Sequence, residues 1–336
     1  MKKLRRIIKR IKEELRATIK ISKITSVKKG LITLRAKTDI QIISRTKKKE
    51  TEKIKKRLLN KHEILLEYYT KTFTKYLEEY DYTKTMKSIK NQKIKDDVIW
   101  VCWWQGIENA PEIVKKCINS IKDAAGNHNV IIITLDNYKE YIDIPSSIEQ
   151  KIKKGIITLT NFSDLLRLSL LAKYGGMWLD ATFYCKKGAN LDKYFKYPIW
   201  SIKRPDYGHT SVACGNFGGY SLYCSSQYRW MFKVMRDFFL HYWETNDFMI
   251  DYLMIDYMIV LAQRNNKEIA DAFRKIPKNN PNCDELCKVL NDKYSKEQWE
   301  KIKLDTDLFK LTWKKDFSVN TGIDSTFYEK LLKNDL

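Results

Sequence analysis

Residues 161–182 read NFSDLLRLSLLAKYGGMWLDAT, and this stretch decides the fold class. Leu165, Leu168, Leu170 and Leu171 recur at helical spacing, so the segment 161–174 reads as a helix. Gly175 and Gly176 stop it, because glycine takes a left-handed cap without the steric cost of a Cβ. Met177, Trp178 and Leu179 then read as a short strand with Asp180 at its carboxyl end. Ligands of open α/β sheets bind beyond the carboxyl ends of the strands, which favours a functional acid at that position. On the helix, Asp164 and Arg167 are three residues apart and project from one face. Alone, that spacing is equally the spacing of an ordinary salt bridge.

Upstream, short β-branched or aromatic runs alternate with helical patterns. Residues 98–104 read as a strand, 111–125 as a helix with Pro111 in its first turn, and 130–134 as a second strand. This alternation is the pattern of βαβ units and predicts an α/β domain with a mostly parallel central sheet flanked by helices. Downstream, 222–243 and 250–264 read as two long helices. Between them and the strand, residues 201–220 carry Lys203, Arg204, His209, Gly218 and Gly219 and read as a loop that could wall a ligand site. His209 is the histidine placed for a role there, whereas His62, His128 and His241 read as surface or structural residues.

The chain has 336 residues, 43% of them hydrophobic, which excludes a wholly disordered protein. Its net charge of +22 is unevenly spread. Residues 1–98 hold 30 Lys and Arg against 12 Asp and Glu, while residues 99–336 hold 33 against 29. The boundary is therefore expected near residue 97, with a basic, mainly helical region at 1–97 and the α/β domain at 98–336. In residues 1–20 Leu4, Ile7, Ile8, Ile11, Leu15 and Ile19 form one apolar stripe, and Lys or Arg covers most of the remainder. Such a helix either packs its stripe on its own domain or lies on an anionic membrane surface.

The first 60 positions contain no aromatic residue that could stack on bases, which argues against nucleic acid as the partner. A nucleic-acid-binding or scaffold protein acting through the basic arm is the alternative reading. No apolar run reaches the roughly 18 residues of a spanning helix, and no apolar core of a signal peptide follows the charged start. The seven irregularly spaced cysteines read as free thiols in a reducing compartment. The expected location is cytoplasmic, peripheral at the inner face of the cell membrane. A P-loop and a Rossmann glycine fingerprint are both absent, so kinase and dehydrogenase readings have no support.

The order Ser163-Asp164-x-x-Arg167, Gly175-Gly176 and Asp180-Ala181-Thr182 resembles the nucleotide-sugar site of GT-A glycosyltransferases with a DXD sugar-binding region. In particular it resembles the bacterial capsular polysaccharide synthesis proteins grouped with glycosyltransferase family 32. Residues 99–106, IWVCWWQG, are similar to that family's first strand. Tyr242, Trp243, Ile250, Asp251, Tyr252, Ile255, Asp256 and Tyr257 are similar to its aromatic and acidic helical segment. Leu311, Thr312, Trp313 and Lys314 give a thinner echo.

The resemblance implies a GT-A-like domain that transfers a sugar, with retention of configuration, from a nucleotide-diphosphate sugar to a glycan. That acceptor would be lipid-linked, in capsular or other surface polysaccharide synthesis. Trp103, Trp104, Gln105 and Gly106 would line the base pocket, Ser163 and Asp164 would meet the ribose or base, and Arg167 would reach the sugar or phosphate. Gly176 belongs to the same implied nucleotide-sugar site. Asp180 and Thr182 stand where the two aspartates of DXD would be. Asp180, Asp251 and Asp256 are the candidate catalytic carboxylates. A spacing of five puts Asp251 and Asp256 on different helix faces, so only one of them is expected to act on the acceptor. Thr182 is a poor ligand for Mn²⁺ or Mg²⁺. Either Asp180 holds the metal with a distant ligand, or cations such as Arg167, Lys203 and Arg204 neutralise the leaving diphosphate instead.

Overall fold

Val98, Ile99, Trp100 and Val101 are buried in succession, without the alternation of a half-exposed strand, as in a strand covered on both faces. The computed structural model describes residues 2–46, 50–90, 92, 95–317 and 325–336, with residues 2–9 as backbone only. Its seven strands are β1 (Val98–Cys102), β2 (Asn129–Ile133), β3 (Gly176–Leu179), β4 (Phe183–Cys185), β5 (Ile199–Ser201), β6 (Ser221–Cys224) and β7 (Leu308–Lys310). Five of them form a sheet of order β2-β1-β3-β6-β5, and β4 and β7 pair separately. β1 runs parallel to β2 and β3, while β6 lies antiparallel to both β3 and β5. Four of the five strands thus share one direction, and the fold is mixed α/β.

The expected helix at 161–174 spans Leu159–Tyr174, two residues longer, because Thr158 caps it by accepting the Asn161 amide. At its end Gly175 has φ +72° and Gly176 φ +82°. A Cβ on Gly176 would lie 2.4 Å from the Val98 carbonyl oxygen, so glycine is what lets β3 approach β1.

Two expectations are corrected. Residues 222–243 are not one helix: Leu222, Tyr223 and Cys224 belong to β6, wholly buried between β3 and β5, and the helix runs Arg229–Thr245. A short apolar run has no periodicity that separates strand from helix, and only its pairing partners decide. The second helix starts at Met254 and ends at Asn265, so Asp251 precedes it and Asp256 sits in its first turn.

The basic region forms α1 (Lys2–Ile24), α2 (Val27–Thr46) and α3 (Glu52–Thr72), followed by Thr74–Glu79 and Tyr82–Lys90. The core is continuous across residue 97: Tyr69 of α3 meets the rings of Tyr242 and Tyr257 at 5.9 and 5.6 Å. α1 packs through Ala17 and Ile21, leaving Ile11, Leu15 and Ile19 at least half exposed. The stripe therefore does not cover its own domain at these positions; the side chains of Leu4, Ile7 and Ile8 lie outside the described residues. Among the described residues no helix is long and apolar enough to cross a membrane.

Candidate functional site

Arg167 is the hub of the site. It projects from the buried helix Leu159–Tyr174 toward the carboxyl ends of β1 and β3, and its guanidinium is largely removed from water. Nη2 lies 3.2 Å from Asp164 Oδ1 and 3.4 Å from Asp180 Oδ1. Nη1 donates to the Gly219 carbonyl and Nε to that of Ser163, and the guanidinium sits 5.0 Å from the Trp178 ring centre. Five fixed donors on a planar group allow one side chain to hold this many acceptors at once.

Asp180 ends β3, with its amide donating to the Tyr220 carbonyl across the sheet. Its Oδ1 accepts from Trp178 Nε1 at 3.0 Å and its Oδ2 from Lys310 Nζ at 3.0 Å. Burial alone would raise its pKa, but Lys310, Arg167 and the Trp178 N–H together hold it below the usual carboxylate range. Lys310 Nζ also donates to Thr182 Oγ1. Lys310 is delivered by the small sheet: Phe183 of β4 pairs with Lys310 of β7, and the Leu311 amide donates to the Thr182 carbonyl.

Two cavities meet at Thr160, Arg167, Asp180 and Tyr252. The first, of about 700 Å³, is walled by Trp103, Trp104, Gln105, Ser163, Trp178, Thr182, Lys310 and Trp313. Trp103 and Trp313 meet edge to face at 5.7 Å, and the buried Trp103 Nε1 has no hydrogen-bond partner among the described residues. Trp104 stacks on Phe162 and donates to Ser163 Oγ at 2.8 Å, so it fixes this wall more than it offers a face.

The second cavity, of about 470 Å³, is lined by Asp164, Asp256, Arg204, Tyr207, Gly218 and Gly219, among others. Asp256 accepts from Ser211 Oγ at 2.5 Å. Burial pushes its carboxyl up to about 6, against the pull of Ser211 and Arg167. Burial likewise pushes Asp164 up to about 7, with Arg167 opposing and Asp256 and Asp180 reinforcing. Carboxyl groups tuned into this range suit proton transfer near neutral pH.

The structure thus brings Trp103, Trp104, Gln105, Ser163, Asp164, Arg167, Asp180, Thr182 and Asp256 around one space. Five expected residues stand apart from it. Asp251 lines neither cavity and pairs with Lys61 at 2.9 Å. Gly176 and Gly106 also line neither; Gly176 serves the β1–β3 approach, and Gly106, at φ +78°, turns the chain after β1. His209 backs the wall, donating from Nδ1 to Glu50 Oε2 at 2.7 Å. Lys203 lies on another face, where its ammonium donates to the Phe273 and Arg274 carbonyls.

Sequence reasoning missed Lys310, because nothing local marks a lysine 130 residues from its carboxylate partner. The one available signal was the echo at 311–314, whose Trp313 reaches the same cavity. Among the described residues no three His, Cys, Asp or Glu side chains converge as a metal site requires. The only DXD-like carboxylate, Asp180, already carries a lysine on one oxygen and an indole N–H on the other.

Comparison with known proteins finds no match among curated proteins and none among solved structures. A protein family does match, over residues 45–331, which takes in the whole sheet, both cavities and all of α3. With most of its length covered, the chain belongs to the family of capsular polysaccharide synthesis proteins.

Proposed function

We propose that the protein is a glycosyltransferase of GT-A-like fold that moves a sugar from a nucleotide-diphosphate sugar to a glycan hydroxyl in capsular polysaccharide synthesis. The observation that carries this reading is the meeting of an aromatic cavity and an acidic cavity at Arg167 and Asp180. The aromatic side has the size and lining of a small-molecule site, with the edge-to-face pair Trp103 and Trp313 on its wall. Arg167 stands at the junction, where a diphosphate and the sugar it carries would meet a planar cation.

In the reaction the bond between the anomeric carbon and the β-phosphate oxygen breaks, and its electron pair stays on that oxygen. The acceptor oxygen bonds to the anomeric carbon on the same face, as retention requires, and its proton passes to Asp256. That carboxylate is more basic than an ordinary aspartate yet ionised in most molecules at neutral pH. Asp251, held by Lys61, takes no part. The exposed ridge of Ile11, Leu15 and Ile19, flanked by the exposed Lys12 and Arg16, would rest on an anionic membrane, where a lipid-linked acceptor is found.

The test is a thermal-shift screen of UDP-, GDP-, CDP- and TDP-linked sugars, followed by assay of donor hydrolysis. A donor at a hundredfold excess over its Kd adds about 2.7 kcal/mol of stability, enough to rank the panel. A panel in which no sugar nucleotide stabilises the protein and none is hydrolysed would sink the reading.

A further inference from the structure

We infer that the Lys310 ammonium stands where a divalent cation stands in an Asp-x-Asp site, so that the donor diphosphate is held and its leaving charge neutralised by Lys310 and Arg167 without a metal ion. The inference rests on the glycosyltransferase reading above and goes beyond it by naming what replaces the cation. Lys310 Nζ bridges Asp180 Oδ2 and Thr182 Oγ1, the two side chains at the positions that would ligate a metal. An ammonium 3.0 Å from a carboxylate repels a dication from the same oxygen. The other oxygen of Asp180 faces the Trp178 N–H and the Arg167 guanidinium, a second cation. Thr182 brings no negative charge to offset either one.

The lysine is held for this task. Its backbone amide donates to the Cys283 carbonyl at 2.8 Å, and its strand pairs with the one that begins just after Thr182. The ammonium lies 5.4 and 5.9 Å from the ring centres of Phe183 and Tyr220, which favours a cation there. Two of its three N–H donors are used on Asp180 and Thr182, and the side chain lines the aromatic cavity, so the third is left for a phosphate oxygen. As the anomeric bond breaks, negative charge grows on the departing oxygen between Lys310 and Arg167. Such prepositioned cations are how an enzyme stabilises a leaving diphosphate.

The experiment is calorimetric titration of the full chain with UDP, GDP, CDP and TDP, in excess EDTA and separately in millimolar MnCl₂ or MgCl₂. The expected result is that one nucleoside diphosphate binds equally, within about twofold, in all three buffers. Lys310→Met should weaken it by about tenfold or more, the range of one charge-assisted hydrogen bond, and Lys310→Arg should keep EDTA-insensitive binding. Binding by the wild type only with added metal, or undiminished binding by Lys310→Met, overturns the inference while leaving the glycosyltransferase reading intact. Should Lys310→Met fail to fold, the wild-type comparison of EDTA with metal decides alone. If no nucleoside diphosphate binds in any buffer, the glycosyltransferase reading itself fails, and the inference falls with it.

Discussion

Lys61 of α3 and Asp251, nearly 200 residues later, face each other at 2.9 Å with side chains only 1% and 7% exposed. The pair ties the basic N-terminal region to the turn that leads into Met254–Asn265, the helix carrying Asp256. Lys37 of α2 adds a second tie by donating to the Ile250 carbonyl. The cavity wall thus depends on residues from the region that composition alone sets apart as a basic arm.

Removing one partner of a buried pair leaves the other charge uncompensated, at a cost of about 3–5 kcal/mol, whereas replacing both by apolar groups can be nearly neutral. Lys61→Met is therefore expected to lower the urea midpoint sharply, and Lys61→Met combined with Asp251→Leu to recover most of the loss. Burial opposes ionisation of Asp251, but Lys61 and Lys37 hold it below its ordinary value of 3.8. The pair's stabilisation is consequently complete above about pH 4 and lost only as pH falls through the lower folded-state value. A single variant that costs less than about 1 kcal/mol would show that water reaches the pair.

His62 gives the opposite end of the pH range. Its Nε2–H donates to the His209 carbonyl at 2.9 Å and its Nδ1 accepts from Tyr257 at 2.7 Å, so the neutral ring fits the site. Burial, with Lys61 reinforcing, lowers its pKa from 6.5 to about 4. On acidification the unfolded chain takes up this proton first, so stability falls from about pH 6.5 and levels off near pH 4. The slope is up to about 1.4 kcal/mol per pH unit. Denaturation curves across that interval should show a smaller loss for His62→Gln than for the wild type; equal slopes would mean that His62 titrates normally.

The junction of helix, glycine stop and Asp180 was legible in the sequence because each element is short-range: a helical leucine pattern, two left-handed glycines and a strand end. Asp164 and Arg167 follow from the same local pattern, whereas Trp103 and Ser163 enter only through the family resemblance. Lys310 was not legible, since only the pairing of β4 with β7 brings it to Thr182. β6 reads as helix for a related reason: its buried apolar run has no periodicity of its own, and only its pairing with β3 and β5 marks it as a strand. Asp251 and Asp256 could not be separated by spacing until the start of the helix at Met254 was known.

Asp256 and Asp164 share the acidic cavity, with carboxyl pKa values raised to about 6 and about 7. If Asp256 takes the acceptor proton, kcat should fall as pH drops below about 6. Asp256→Asn should then lose about a hundredfold in kcat with little change in donor affinity. Asp164→Asn serves as the control: it should weaken donor binding while leaving the acid limb near pH 6 in place. Should the limb survive in Asp256→Asn, the proton goes elsewhere.

Ile11, Leu15 and Ile19 stand 54%, 50% and 56% exposed on one side of α1, where burial against the protein is provided by Ala17 and Ile21 instead. Full burial of such a side chain from water is worth about 1.5–3 kcal/mol, so the exposed half of each leaves about 1 kcal/mol to gain, and each adjacent Lys or Arg adds about 1 kcal/mol near an anionic bilayer. The full chain is therefore expected to sediment with phosphatidylglycerol vesicles more strongly than with phosphatidylcholine vesicles, and less strongly as salt is raised. Replacing all three residues with serine should weaken that binding by about tenfold or more. Because none of the three lines either cavity, donor hydrolysis should be unchanged in the same variant. Equal sedimentation of wild type and variant would show that the ridge does not touch the bilayer, and loss of hydrolysis with it would show that the ridge supports the fold instead.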